Sequence, residues 1–126
     1  MIVRLQKMSE VLSVCRLSPG EEIPDWACTG RFYSVTRTDE ELSIVCESKY
    51  VPAGIKAEQP WRCLKVVGPL DFGLTGIMAA LTQPLAADKI SIFAVSTFDT
   101  DYLMVKTDNY ERACLSLTRA GHEILS

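Results

Sequence analysis

The residues best equipped for chemistry lie in two short stretches of the C-terminal half. The first is SIFAVSTFDTDYLMVK, residues 91–106, where two strand-like runs flank a polar bend holding Ser96, Thr97, Phe98, Asp99 and Asp101. Carboxylates and a hydroxyl can accept hydrogen bonds from an ammonium group, and an aromatic face can cover a cation. The same residue types also form ordinary turns, with Asp99 bonding its own bend and Phe98 packed inward; composition alone leaves both readings open. The second stretch is GPLDFGLTGI, residues 68–77, which leads into a helical pattern. A helix N-terminus carries unpaired N–H groups and partial positive charge, and so suits a carboxylate. Gly73 and Gly76 would let a ligand approach the backbone, or equally serve close packing against a sheet. Together the stretches offer two electrical poles, as a zwitterion requires.

Other chemistries have less to build on. His122 is the only histidine, so any Ser-His-Asp or Cys-His arrangement must recruit it, and it follows a helix C-terminus where the charged ring is favoured. Asp99 and Asp101 show no sign of the split environments that a general acid–base pair needs. No GxxxxGK[ST] run is present, so no phosphate-cradling loop and no cofactor is expected. The cysteines Cys15, Cys28, Cys46, Cys63 and Cys114 are odd in number, widely spaced and without a C-x-x-C, which argues against a disulfide framework or a zinc site and for small hydrophobes in a reducing compartment. A net charge of −3 speaks against nucleic acid or an anionic membrane as partner. No run approaches the length of a membrane span, and Met1–Met8 lacks the apolar core of a signal peptide, so the expected address is the cytoplasm.

The elements that must position these residues can be read from periodicity. Strands are expected at Ile2–Gln6, Val11–Leu17, Arg31–Arg37, Leu42–Glu47, Trp61–Gly68, Ile90–Val95, Asp101–Lys106 and His122–Leu125. A short helix is expected at Glu21–Cys28. A second, Phe72–Thr82, carries Leu74, Ile77, Met78 and Leu81 on one stripe and is limited by Pro84. A third, Asn109–Ala120, puts Tyr110, Ala113, Cys114 and Leu117 on one face, starts with a capping-box-like Asp108 and Glu111, and ends with Gly121 at C′. The second half therefore runs strand, helix, strand, strand, helix, strand, the split βαβ order of a ferredoxin-like domain.

The two halves echo one another. Laid without a gap, Ser34–Val45 (SVTRTDEELSIV) and Ala94–Val105 (AVSTFDTDYLMV) match Val35 with Val95, Asp39 with Asp99 and Val45 with Val105, leaving Thr38 opposite Phe98. The first copy has room for little helix, and the strand at Ile2–Gln6 is a candidate for a missing sheet edge.

From Trp61 to Lys106, the segments GPLDFGLTGI and PLAADKISIFAVSTFDTD resemble the ACT domain, and more narrowly the small bacterial ACT proteins related to the vertebrate cytosolic arginine sensor CASTOR. The resemblance continues weakly through IPDWA and SVTRTDEELSIV in the first half. It implies an α+β fold of tandem ferredoxin-like (βαββαβ) ACT modules with antiparallel sheets, an abbreviated module over residues 1–60 and a full one over 61–126. It also implies a regulatory role rather than catalysis, with an amino acid or similar small metabolite as ligand. The site residues it marks are Asp71, Phe72, Gly73, Leu74, Thr75 and Gly76 at the helix start, and Ser96, Thr97, Phe98, Asp99 and Asp101 at the bend. The arginine-sensing members carry an acidic pair where this chain has Gly73 and Leu74, so a neutral, smaller or more apolar amino acid fits better than arginine. The rival reading is a ligand-free dimerisation or adaptor module. An exposed sheet face or edge would be covered within the chain or by a two-fold homodimer.

Overall fold

The computed structural model describes residues 1–68 and 75–126. Eight strands and two helices follow in order: β1 (Arg4–Lys7), β2 (Leu12–Leu17), β3 (Tyr33–Arg37), β4 (Leu42–Glu47), β5 (Ala57–Val66), α1 (Ile77–Ala87), β6 (Ile92–Ser96), β7 (Asp101–Lys106), α2 (Tyr110–Arg119) and β8 (Glu123–Leu125). The chain divides into two compact units, Glu10–Trp61 and Met1–Ser9 with Arg62–Ser126. β5 supplies residues to both. The fold is α+β, built on the ferredoxin-like plan.

In the unit of residues 10–61, β2 lies between β4 and the first half of β5, and β3 pairs with β4, all antiparallel. That is the strand order of a ferredoxin-like sheet with its helices cut down. Where the first helix would come there is one 3-10 turn, Asp25–Cys28, and where the second would come another, Ser48–Tyr50. The helix expected over Glu21–Cys28 is thus shorter than its pattern suggested, because Pro24 sits at its N-cap position in extended conformation. The core of this unit is Cys15, Ala27, Leu42, Ile44 and Cys46, with Trp26 and Val35 packed against it. Cys15 and Cys46 are hydrogen-bonded to each other in that core; the contact holds the Cys46 thiol protonated far above its usual range and lowers Cys15.

The buried Glu47 organises one edge of the same unit. Its carboxylate accepts the Arg31 N–H at 2.6 Å and lies 3.8 Å from the Lys49 ammonium. Gly30 beneath it has φ +94°, and a Cβ there would run into the carboxylate and come within 2.7 Å of the Tyr50 ring. Only glycine meets both demands.

In the other unit, β7 pairs with β6 and β5, β5 pairs with β1, and β1 pairs with β8. The pattern differs from the expected one in a single respect. β1 is not an edge for the first half; it lies between β5 (antiparallel, Leu5 opposite Val66) and β8 (parallel, Leu5 opposite Ile124). Its alternation explains this placement: Val3 and Leu5 are buried in the helix-facing core with Leu64, Val66, Leu81, Leu85, Leu103, Val105 and Leu117. Met1–Ser9 therefore group with residues 62–126 rather than with the segment that follows them.

Both helices depart in detail from their sequence pattern. Residues 107–109 form a 3-10 turn, and Asn109 rather than Asp108 precedes α2, with no side-chain cap. The C-terminus of α2 is as expected. Gly121 (φ +98°) donates to the Thr118 carbonyl and His122 N–H to the Leu117 carbonyl at 3.0 Å, the paired bonds of a Schellman motif. α1 runs through Pro84 to Ala87 instead of stopping at Thr82. A proline removes the N–H that would bond the carbonyl four residues back, here that of Ala80. His122 supplies the replacement: its Nε2 lies 3.1 Å from that carbonyl.

Candidate functional site

Of the candidate residues that the structure describes, Thr75 and Gly76 precede α1 and Ser96, Thr97, Phe98, Asp99 and Asp101 lie at the β6–β7 bend, at one end of the unit built from residues 1–9 and 62–126. β5 reaches this end at Val66, and three features meet around that residue.

The first is the β6–β7 bend. Ser96 pairs with Asp101 across the ladder, leaving residues 97–100 as the turn. Thr97 N–H donates to the Thr100 carbonyl at 2.8 Å, and the Thr97 hydroxyl donates to that carbonyl at 3.0 Å while accepting the Thr100 N–H at 3.3 Å. Thr97 therefore shapes the turn. Thr100 is buried, and its hydroxyl donates to the Val66 carbonyl at 2.6 Å, tying the bend to β5. Sequence reasoning passed over Thr100; a small β-branched hydroxyl residue closing a turn was the only signal. Phe98 does not pack inward: it is 80% exposed. Asp99 is exposed and Asp101 half-buried, and among the described residues neither forms an ion pair.

The hairpin in the other unit explains why the bend has this form. Arg37 pairs with Leu42, Thr38 N–H donates to the Glu41 carbonyl at 2.9 Å, and the Thr38 hydroxyl accepts the N–H groups of Glu40 and Glu41. Thr38 is thus the counterpart of Thr97. The gapless match of the two halves is one position out, and Phe98 stands opposite Asp39. Shared turn geometry accounts for the threonine, but not for the exposed ring.

The second feature is the start of α1. Gly76 (φ +84°) is its N-cap, and the first backbone bond runs from Ala80 N–H to the Gly76 carbonyl at 2.9 Å. The N–H groups of Ile77, Met78 and Ala79 have no partner within the helix. The helix begins later than the expected Phe72. Thr75 and Gly76 precede it and are exposed, while Asp71, Phe72, Gly73 and Leu74 lie outside the described residues.

The third feature was not foreseen: a cavity of about 330 Å³ lined by Met1, Ile2, Val3, Arg4, Val66, Val67 and Ile77. Ile77, the first residue of α1, shares it with Val66, whose carbonyl holds Thr100. The helix start and the acidic bend thus converge on one residue of β5. The lining escaped sequence reasoning because it joins the first four residues to a strand more than sixty positions away.

His122 has a structural position. It is buried, Nδ1 accepts the Val3 N–H at 3.0 Å, and Nε2, which must then carry the proton, faces the Ala80 carbonyl. Both nitrogens are occupied by backbone. Among the described residues there is no group of three or more His, Cys, Asp or Glu arranged to hold a metal ion, and no helix long and apolar enough to cross a membrane.

Comparison with known proteins adds to this geometry. A family model described as ACT domain matches residues 56–119, and a second, described as an N-terminal domain, matches residues 10–54. The chain is 41% identical to an Agobacterium tumefaciens protein of known structure, with a TM-score of 0.93 over 99% of this chain and 93% of that one. It resembles the regulatory subunit of aspartate kinase from Thermus flavus in fold, with a TM-score of 0.61 at 10% identity over 95% of this chain and 97% of that one. Among curated proteins it is 32% identical over 85 residues to the human cytosolic arginine sensor for mTORC1 subunit 1, a match that takes in 61% of this chain and 26% of the sensor. The chain thus spans about a quarter of that relative's length. With the family model covering half of its residues and the Agobacterium relative aligned almost end to end, the chain belongs to the ACT domain family.

Proposed function

We propose that the chain is a regulatory ligand-binding module whose ligand is an amino acid or a similar small metabolite. What supports this reading is that the Thr100 hydroxyl of the acidic bend bonds the Val66 carbonyl, and that Ile77, the first residue of α1, lines one cavity with Val66. The ligand's carboxylate faces the start of α1, at Thr75, Gly76 and the preceding Asp71–Leu74 stretch. Its ammonium group faces Asp99 and Asp101, on the turn that Ser96 and Thr97 shape, with Phe98 as a cover. Closure of that ring over a ligand would change the apolar surface the module offers a partner, so that binding is reported as altered protein contacts. The regulatory relatives and the word cytosolic in the arginine sensor's name agree with this role and with a cytoplasmic address. The adaptor reading, with a homodimer as its product, draws on the exposed Met1, Ile2, Val67 and Phe98.

Thermal denaturation with each common amino acid at millimolar concentration tests the proposal. A ligand at 100 times its Kd adds about 2.7 kcal/mol, which raises Tm by about 10 °C in a chain of this size. Asp99→Asn together with Asp101→Asn should abolish the shift while leaving the unliganded Tm in place. No shift with any amino acid, alongside a stable dimer, would leave the adaptor role.

A further inference from the structure

We propose that Cys15 and Cys46 are a modification site: a thiol pair that a small hydroperoxide oxidises to a reversible disulfide within the core of the unit of residues 10–61. The proposal is independent of the ligand reading above.

The strand register brings the two residues together. β2 and β4 run antiparallel, with Cys15 opposite Ile44 and Cys46 opposite Ser13. Residues two apart on a strand share a face, so Cys15, Ile44 and Cys46 all point into the core that Ala27 and Leu42 complete. The two sulfurs are diagonal neighbours there, and their hydrogen bond has a direction. The Cys46 thiol donates, which draws Cys15 down against the opposing effect of burial. Cys46 is held protonated by the same contact, by burial and by the nearby Glu47 carboxylate. Oxidation to a disulfide uses this pairing, a sulfur that ionises readily beside a thiol that resolves the product.

The cover over the pair is thin. Where the ferredoxin plan would place a full helix, only the turn Asp25–Cys28 packs against β3 and β4. Ala27 fills the core beside the thiols, held by its own N–H to the Pro24 carbonyl at 3.0 Å. A single turn opens at far less cost than the whole fold, and hydrogen peroxide is little larger than water.

The chemistry balances with one hydroperoxide. The Cys15 thiolate attacks a peroxide oxygen, the O–O bond breaks, and the alkoxide leaves and regains the proton that Cys15 gave up. Cys46 then attacks the sulfenic sulfur of Cys15. The S–O bond breaks as the S–S bond forms, and the Cys46 proton departs with the hydroxide as water. Two thiols are oxidised, and the peroxide is reduced to an alcohol and water. A diagonal pair on neighbouring strands spans about 7–8 Å between Cα atoms, beyond the reach of a relaxed disulfide. Closure must therefore draw β2 towards β4, while Cys15 also lies opposite Ala57 of β5. A bond under that load is readily reduced, as a reversible site in a reducing compartment requires.

The test uses the full chain carrying Cys28→Ser, which removes the one exposed thiol and leaves the four buried ones. After treatment with hydrogen peroxide, the remaining thiols are alkylated in denaturant and the chain is mapped by mass spectrometry. Two thiols should vanish together, with the peptides of Cys15 and Cys46 joined, and a dithiol reductant should restore both. Their loss should run about tenfold ahead of that of Cys114, whose thiol burial pushes up. Cys46→Ala should arrest Cys15 as a sulfenic acid that dimedone traps, and Cys15→Ala should leave the Cys46 thiol intact. The joined peptides are read without either variant, so the proposal stays testable if one fails to fold. Four thiols surviving together, Cys114 consumed as fast as Cys15, or Cys15 oxidised to sulfinic acid without a cross-link would each overturn it.

Discussion

His122 and Pro84 should be energetically coupled although no bond joins them. The Ala80 carbonyl lacks its helical donor because residue 84 is proline, and the imidazole Nε2–H takes that place at 3.1 Å while Nδ1 accepts the buried Val3 N–H at 3.0 Å. His122→Leu keeps most of the volume and orphans both groups. An unsatisfied buried backbone group costs about 1–3 kcal/mol. Val3 N–H is fully enclosed and Ala80 only half-buried, so the total should be about 2–4 kcal/mol. Pro84→Ala returns an N–H to the helix interior, where it can reach the Ala80 carbonyl. In that background His122→Leu orphans Val3 alone and should cost about 1 kcal/mol less. Urea denaturation of the parent, both single variants and the double variant closes the cycle. Exchange of the Val3 amide should accelerate in both backgrounds carrying His122→Leu. Costs that add to within about 0.3 kcal/mol, the margin for independent sites, would refute the idea that His122 replaces the missing helical donor.

Further outcomes follow from other buried groups. Burial pushes the Tyr110 hydroxyl up to about 12, with Cys114 adding to the rise and the Arg62 guanidinium, 4.5 Å from the ring, opposing it. The neutral phenol is therefore favoured in the fold. Its contribution is complete below about pH 10, and roughly 3 kcal/mol should disappear as pH rises from 10 to 12, a loss that Tyr110→Phe should remove from urea curves. Gly30→Ala places a Cβ against the Glu47 carboxylate in a left-handed backbone, and should cost about 2 kcal/mol or more by chemical denaturation. Of the five cysteines only Cys28 is exposed, so one thiol should react rapidly with an aromatic disulfide reagent in the native protein and the rest only on unfolding.

How far the sequence reached depended on the range of the interaction concerned. Gly121 was legible as a helix terminator because the Schellman motif is made within a few residues of itself. The buried stripe of α2 was legible because Tyr110, Ala113, Cys114 and Leu117 repeat at the helical period. The strand runs were legible for the same reason. The start of α1 was misjudged because apolar spacing carries a helix pattern backwards past Gly76, whereas the chain turns left-handed there. The echo between the halves was found one position out, since short apolar runs match at neighbouring offsets and only the threonine-closed turns, seen as hydrogen bonds, choose between them.

By itself the sequence determined the α+β class and the acidic bend of Asp99 and Asp101, and it carries a single histidine and no GxxxxGK[ST] run. Each of these is a property of near neighbours along the chain. Only the tertiary structure decided that β1 belongs between β5 and β8, that His122 serves Val3 and Ala80, that Thr100 anchors the bend to Val66, and that a cavity opens beside Ile77. Those contacts join residues tens of positions apart. A strand of four residues carries no label for its partner; the match of buried faces chooses it once the whole chain has folded.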